Sequence, residues 1–123
     1  MEFKHEAIFC IVNSGYSEMV MDAAKKLGAR GGTVINALGT ASKDAESFFH
    51  ITITPEKEIV MILVPTKIKD AVLHALYKEV GLETAGQGIA FSVPVEDVVG
   101  LTQTEKNETI FNNRATSLFN YFI

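Results

Sequence analysis

The chain has 123 residues, enough for one domain with a real core and too few for two ordinary ones. Hydrophobic residues make up 47% and charged residues 21%, which excludes a disordered chain, and the net charge of −4 argues against a general nucleic-acid-binding surface. The single cysteine, Cys10, rules out an internal disulfide and reads as a small buried hydrophobe in a reducing compartment.

The opening Met1-Glu2-Phe3-Lys4-His5-Glu6 lacks the basic and long apolar regions of a signal peptide, and no apolar run reaches bilayer length. A cytoplasmic protein without direct membrane insertion is expected. Residues 7–12 form an uninterrupted apolar run of strand length, which Asn13-Ser14-Gly15 breaks. From Tyr16 the spacing is helical, with Val20, Ala23, Ala24 and Leu27 on one face and Gly28 as the stop. Thr33-Val34-Ile35-Asn36-Ala37-Leu38 predicts a second strand, ended by Gly39.

Residues 40–47 are small and polar with no core face, so a loop is expected, with one helical turn around residues 43–46. Residues 51–54 alternate as a half-exposed strand, and Pro55-Glu56-Lys57 predicts a bulge or turn. Residues 58–64 carry the strongest strand signal in the chain. Pro65-Thr66 then opens a helix with Ile68, Val72, Ala75, Leu76 and Val80 as its buried stripe and Gly81 as its cap.

After that helix, Gly86-Gln87-Gly88 precedes an apolar strand and a proline-led acidic turn at Val93-Pro94-Val95-Glu96-Asp97. A Gly-x-Gly at this position has two readings. It is a tight turn, or a cradle in which backbone N–H groups converge on an anion with no Cβ in the way. Residues 102–109 are polar, and the chain ends on Leu118-Phe119-Asn120-Tyr121-Phe122-Ile123, an apolar segment that docks either on its own subunit or on a neighbour. Strand, helix, strand occurs twice, over 7–38 and 58–93. That order predicts an α+β, ferredoxin-like βαββαβ fold, an antiparallel sheet with both helices on one face. The other face then needs a partner, and oligomerisation supplies it.

These segments resemble the PII signal-transduction family, the nitrogen regulatory proteins P-II. The resemblance lies in Gly32-Thr33-Val34, in residues 57–64, in Gly86-Gln87-Gly88-Ile89-Ala90-Phe91 and in Val93-Pro94-Val95-Glu96-Asp97-Val98-Val99, in order and over roughly residues 4–105. It implies a single PII-like domain over 1–123, with a ferredoxin-like core at about 4–99 and a C-terminal extension at about 100–123. It also implies a homotrimer that binds an adenine nucleotide, ATP, ADP or AMP, in clefts between subunits, with no resident cofactor or metal and no catalysis. On the resemblance, Gly39 lies at the base of a mobile loop. Gly86 and Gly88 face phosphates, with Gln87 and Ile89 beside them, and Ile8, Thr33 and Val64 lie near the base of the cleft. The loop would present Thr40, Ser42, Lys43, Glu46, Phe49 and His50 to a membrane transporter or metabolic enzyme.

Departures from the family pattern are specific. Ile89 stands where classical members have a lysine, Gly100 and Thr102 where they have two arginines, and Thr40, Ala41 and Ser42 where they have an arginine and a glutamine. Each missing charge-assisted contact is worth roughly 1.5–3 kcal/mol, so triphosphate binding weakens by orders of magnitude unless Lys43, Lys106 or Arg114 substitutes. The shorter loop contains no tyrosine, so the family's uridylylation site is absent.

Other chemistry is less well supported. His5, His50 and His74 show no zinc-ligand spacing, so a metal site would have to be assembled by folding or between subunits; the alternative is a metal-responsive or purely structural ferredoxin-like trimer without nucleotide binding. Ser14, Ser17 and Ser47 have no nucleophile-elbow context. Glu56, Glu58, Glu96 and Asp97 read as solvated turn and strand-edge charges.

Overall fold

Burial alternates strictly along the first strand, β1 (His5–Asn13), where Glu6, Ile8, Cys10 and Val12 are buried and the residues between them are half-exposed. A strand projects successive side chains to opposite faces, so this alternation means that β1 has one sealed face. The computed structural model describes residues 3–40, 47, 50 and 55–101. After β1 come α1 (Ser17–Lys25), β2 (Thr33–Leu38), β3 (Glu56–Pro65), α2 (Thr66–Val80) and β4 (Ile89–Val95). The sheet order is β2-β3-β1-β4, and every pairing is antiparallel. This is the ferredoxin-like arrangement expected from the two strand–helix–strand units.

Ile8, Cys10 and Val12 meet Val60, Ile62 and Val64 of β3 on the covered face. Val20, Ala23 and Ala24 of α1 and Val72, Leu76 and Val80 of α2 close over them. The other face is also apolar. The register sets Phe9 between Met61 and Phe91, Ile11 between Ile59 and Ile89, and Ala7 between Leu63 and Val93. Phe9 and Phe91 stack with ring centroids 5.3 Å apart. No element of the described residues covers this face, and Phe91 is 46% exposed.

Helix ends follow different rules. Gly28, at φ 115°, closes α1: its N–H donates to the Lys25 carbonyl at 3.1 Å while the Ala29 N–H reaches back to Ala24 at 3.2 Å. That pair of bonds is a Schellman motif, and the left-handed residue in it favours glycine. Gly81 caps α2 as expected, but without a left-handed φ. It is extended, with φ −63° and ψ 179°, and glycine is needed because a Cβ would run into the Tyr77 carbonyl oxygen. Glu56 and Lys57, expected in a bulge or turn, belong to β3, paired with Leu38 and Ala37. Glu58 is no solvated edge charge: its carboxylate accepts the Gly15 and Ser17 amides at 3.1 and 3.2 Å. It thereby caps an α1 amino end whose own N-cap residue, Tyr16, makes no side-chain cap. The expected helical turn at 43–46, the strand at 51–54 and the C-terminal segment from 102 lie outside the described residues.

Cys10 has no solvent exposure, and burial pushes its thiol up from the ordinary 9.0 to about 11. In the unfolded chain the thiol loses its proton first, so its contribution to stability is complete below pH 9 and is lost as pH rises from 9 to 11. A Cys10→Ala variant should therefore show a shallower fall in melting temperature over that window than the parent. Thiol labelling of the native parent at pH 8 should track global unfolding.

Candidate functional site

The elements converge on the end of β1, where Asn13 gathers three segments. Its backbone N–H donates to the Gly86 carbonyl at 2.8 Å, and its side-chain amide donates to the Ala85 carbonyl at 3.1 Å and to Gln87 Oε1 at 3.2 Å. Its Oδ1 accepts from Lys57 Nζ at 2.7 Å. Lys57 in turn lies against Gly39, because a Cβ on Gly39 would meet Lys57 Cε at 3.0 Å, and the Gly39 N–H donates to the Pro55 carbonyl at 2.6 Å. An open groove of about 290 Å³ lies alongside, lined by Ser14, Asn36, Ala37, Leu38, Glu56 and Lys57.

The glycine turn is internally bonded. Thr84 organises it: its hydroxyl donates to the Gly81 carbonyl at 2.7 Å and accepts from the Gly86 N–H at 3.3 Å, and its carbonyl accepts from the Gln87 N–H at 3.0 Å. The Gly88 N–H donates to the Val80 carbonyl at 2.6 Å. With two of its three amides firmly committed, only the long Gly86 bond leaves a donor that an incoming anion can readily take. Neither Gly86 nor Gly88 has a positive φ; the left-handed residue is Gln87, at φ 47°. The glycines are required for space instead. A Cβ on Gly88 would strike the Val80 carbonyl, and one on Gly86 would press on the Val80 Cβ at 3.3 Å.

Gly39, Gly86 and Gln87 are thus brought together through Lys57 and Asn13. Other expected ligand residues are not. Ile8 and Val64 are fully buried in the core beneath the helices and line neither groove. Thr33 is exposed but starts β2, while Gly39 follows its other end. Ile89 is 59% exposed on the uncovered face and supplies no charge. Thr40 is exposed, and His50 is exposed with φ 56°. Ser42, Lys43, Glu46 and Phe49 lie outside the described residues, as do Lys106 and Arg114.

Asn13, Lys57 and Thr84 were not singled out by the sequence as site residues. Asn13 looked like a strand breaker and Lys57 part of a turn; only their places at the end of β1 and near the start of β3 hinted at more. Among the described residues no group of three His, Cys, Asp or Glu side chains is placed to hold a metal ion. No helix among them is long and apolar enough to cross a membrane.

The family model for nitrogen regulatory protein P-II matches residues 5–105, from the start of β1 to beyond the acidic turn. The chain belongs to the P-II family. Solved structures agree in fold. A PII protein of Arabidopsis thaliana bound to citrate superposes with a TM-score of 0.61 at 24% identity, over 80% of this chain and 81% of that one. The GlnK–ATP complex of B. subtilis gives 0.60 at 16% identity, over 81% and 89% of the two chains. A functionally unknown protein from Pediococcus pentosaceus gives 0.56 at 15%, over 80% and 98%. No curated protein matches with significance.

Coupling through Asn13 is open to a direct test. In a double-mutant cycle, Asn13→Ala and Lys57→Ala should each lower the unfolding free energy by about 1–3 kcal/mol, and the double variant should cost clearly less than their sum. Urea titration of the four proteins measures the coupling; strict additivity would show that the 2.7 Å bond carries none.

Proposed function

We propose that this P-II family chain is a non-classical signal-transduction protein that works as a homotrimer. On this reading each protomer is one PII-like domain with a C-terminal extension, acting in the cytoplasm by binding and not by catalysis. A small anionic effector, ATP, ADP or AMP, enters clefts between subunits. Occupancy is reported through residues 40–50 to a membrane transporter or a metabolic enzyme.

One observation carries the reading: Asn13 ties the glycine turn to Lys57, and Lys57 supports the loop base at Gly39. A ligand shifts an equilibrium only by binding its states differently. An anion at the groove competes with Asn13 for Lys57, so the loop base changes partners exactly when the site fills. Lys57 also answers the lack of classical cations, since it supplies a positive charge beside the turn. The uncovered apolar sheet face supports assembly into a trimer.

A trimer without nucleotide affinity is favoured by the committed Gln87 and Gly88 amides and by the apolar Ile89. Calorimetry with ATP, ADP, AMP and adenosine separates the two readings. The proposed function expects at least one nucleotide to bind about tenfold or more tightly than adenosine, and Lys57→Ala to remove most of that difference, as loss of one charge-assisted hydrogen bond should. Equal affinity for nucleotides and adenosine, or none, would withdraw the phosphate site and leave the structural reading.

A further inference from the structure

At the other end of β1, some eight residues and roughly 27 Å from Asn13 at ~3.4 Å per residue, lies a second and larger groove. It measures about 660 Å³, and its lining includes Lys4, His5, Glu6, Thr66 and Lys67. Two independent features set it apart from ordinary surface.

The first is the start of α2. Its N-cap, Pro65, provides no side-chain cap, and its first turn holds no acidic residue. The Thr66 N–H donates to the Lys4 carbonyl at 2.9 Å, and the Thr66 hydroxyl to the Phe3 carbonyl at 2.6 Å. The next two amides, of Lys67 and Ile68, precede the first intrahelical bonds and are orphan donors at the positive end of a helix of 15 residues. Lys4 and Lys67 add positive charge where an acidic side chain would ordinarily sit.

The second is Glu6. It is only 9% exposed, yet among the described residues its carboxylate makes no hydrogen bond and no ion pair. Lys69 senses it only through space, with its Nζ held by Asp70 at 2.8 Å. A buried carboxylate without a donor is costly, and its acceptors point to a donor that arrives from outside.

One carboxylate among lysines is a poor metal site, and a simple anion would meet Glu6 as a like charge. A ligand with both charges satisfies both features. We propose that this groove binds a free α-amino acid, with the ligand carboxylate at the start of α2 beside Lys67 and the ligand ammonium on Glu6. Charge-assisted hydrogen bonds at both ends then fix its orientation.

The test uses the full chain and each of the twenty common L-amino acids, by thermal-shift screening followed by calorimetry. At least one should bind saturably and raise the melting temperature. Its matched amine, lacking the carboxylate, and its matched acid, lacking the ammonium, should each bind about tenfold or more weakly, as loss of one charged contact requires. Glu6→Gln, which keeps the shape and removes the charge, should weaken binding to a similar extent, as should the exposed change Lys67→Glu. Binding of no amino acid at millimolar concentration would overturn the proposal, as would an amine that binds as tightly as the amino acid, or full binding by folded Glu6→Gln. Nucleotide affinity does not enter this readout, so failure here is distinct from failure of the nucleotide reading.

Discussion

Everything else in the fold depends on the two-residue period of β1. β1 is paired on both sides, with β3 and with β4, so the choice of which residues face the helices is transmitted across the sheet. A slip of one residue would exchange the two faces, placing Cys10 and Val12 where Phe9 and Ile11 now stand. Burying Ile8, Cys10 and Val12 beneath α1 and α2 completes the core of the protomer. The same period leaves Phe9 and Ile11 on the opposite face, with Met61, Ile59, Phe91 and Ile89 beside them. The protomer therefore seals one apolar surface and presents another, at roughly 25 cal/mol for each Å² of apolar area that stays wet.

The same strand positions both grooves. Its last residue, Asn13, is held over the glycine turn and takes up Lys57, and its second residue, Glu6, is drawn beneath the start of α2. The bonding at Asn13 changes how the glycine turn is understood. Gly86 and Gly88 give room for the backbone to approach Val80, while the left-handed geometry falls on Gln87, whose side chain is bonded to Asn13. Non-glycine residues held in that region carry strain that the surrounding structure must hold in place. The turn is thus better described as an internally bonded corner tied to Asn13 than as an open ring of amides.

Much of this was legible in the sequence where one local signal decided the outcome. The run at 58–64, the stripe of Val72, Leu76 and Val80, and Gly28 after α1 each rest on a period or a stop residue within a few positions. The order of these elements was enough for the ferredoxin-like sheet, and the glycine and Val-Pro-Val motifs for the family. Contacts between distant residues were not legible. Glu58 caps a helix from more than forty positions away, and Asn13 meets Gln87 across 74; no spacing rule joins them. The need for Gly88 was hidden for a related reason, because a glycine required by close approach of another chain segment looks the same in sequence as one required by φ. The role expected of Ile8 and Val64 came from resemblance alone, while strand parity turns their side chains into the core.

The account rests most heavily on the claim that the uncovered face, where Phe91 of the edge strand β4 stacks on Phe9, is an interface between copies of the chain. Sedimentation equilibrium at micromolar concentration, on the parent and on Phe91→Asp, addresses that claim directly. The parent should sediment as three chains, and the variant, with a carboxylate beside Phe9, should dissociate toward single chains that retain their secondary structure. A parent that sediments as a stable, folded single chain would contradict the account.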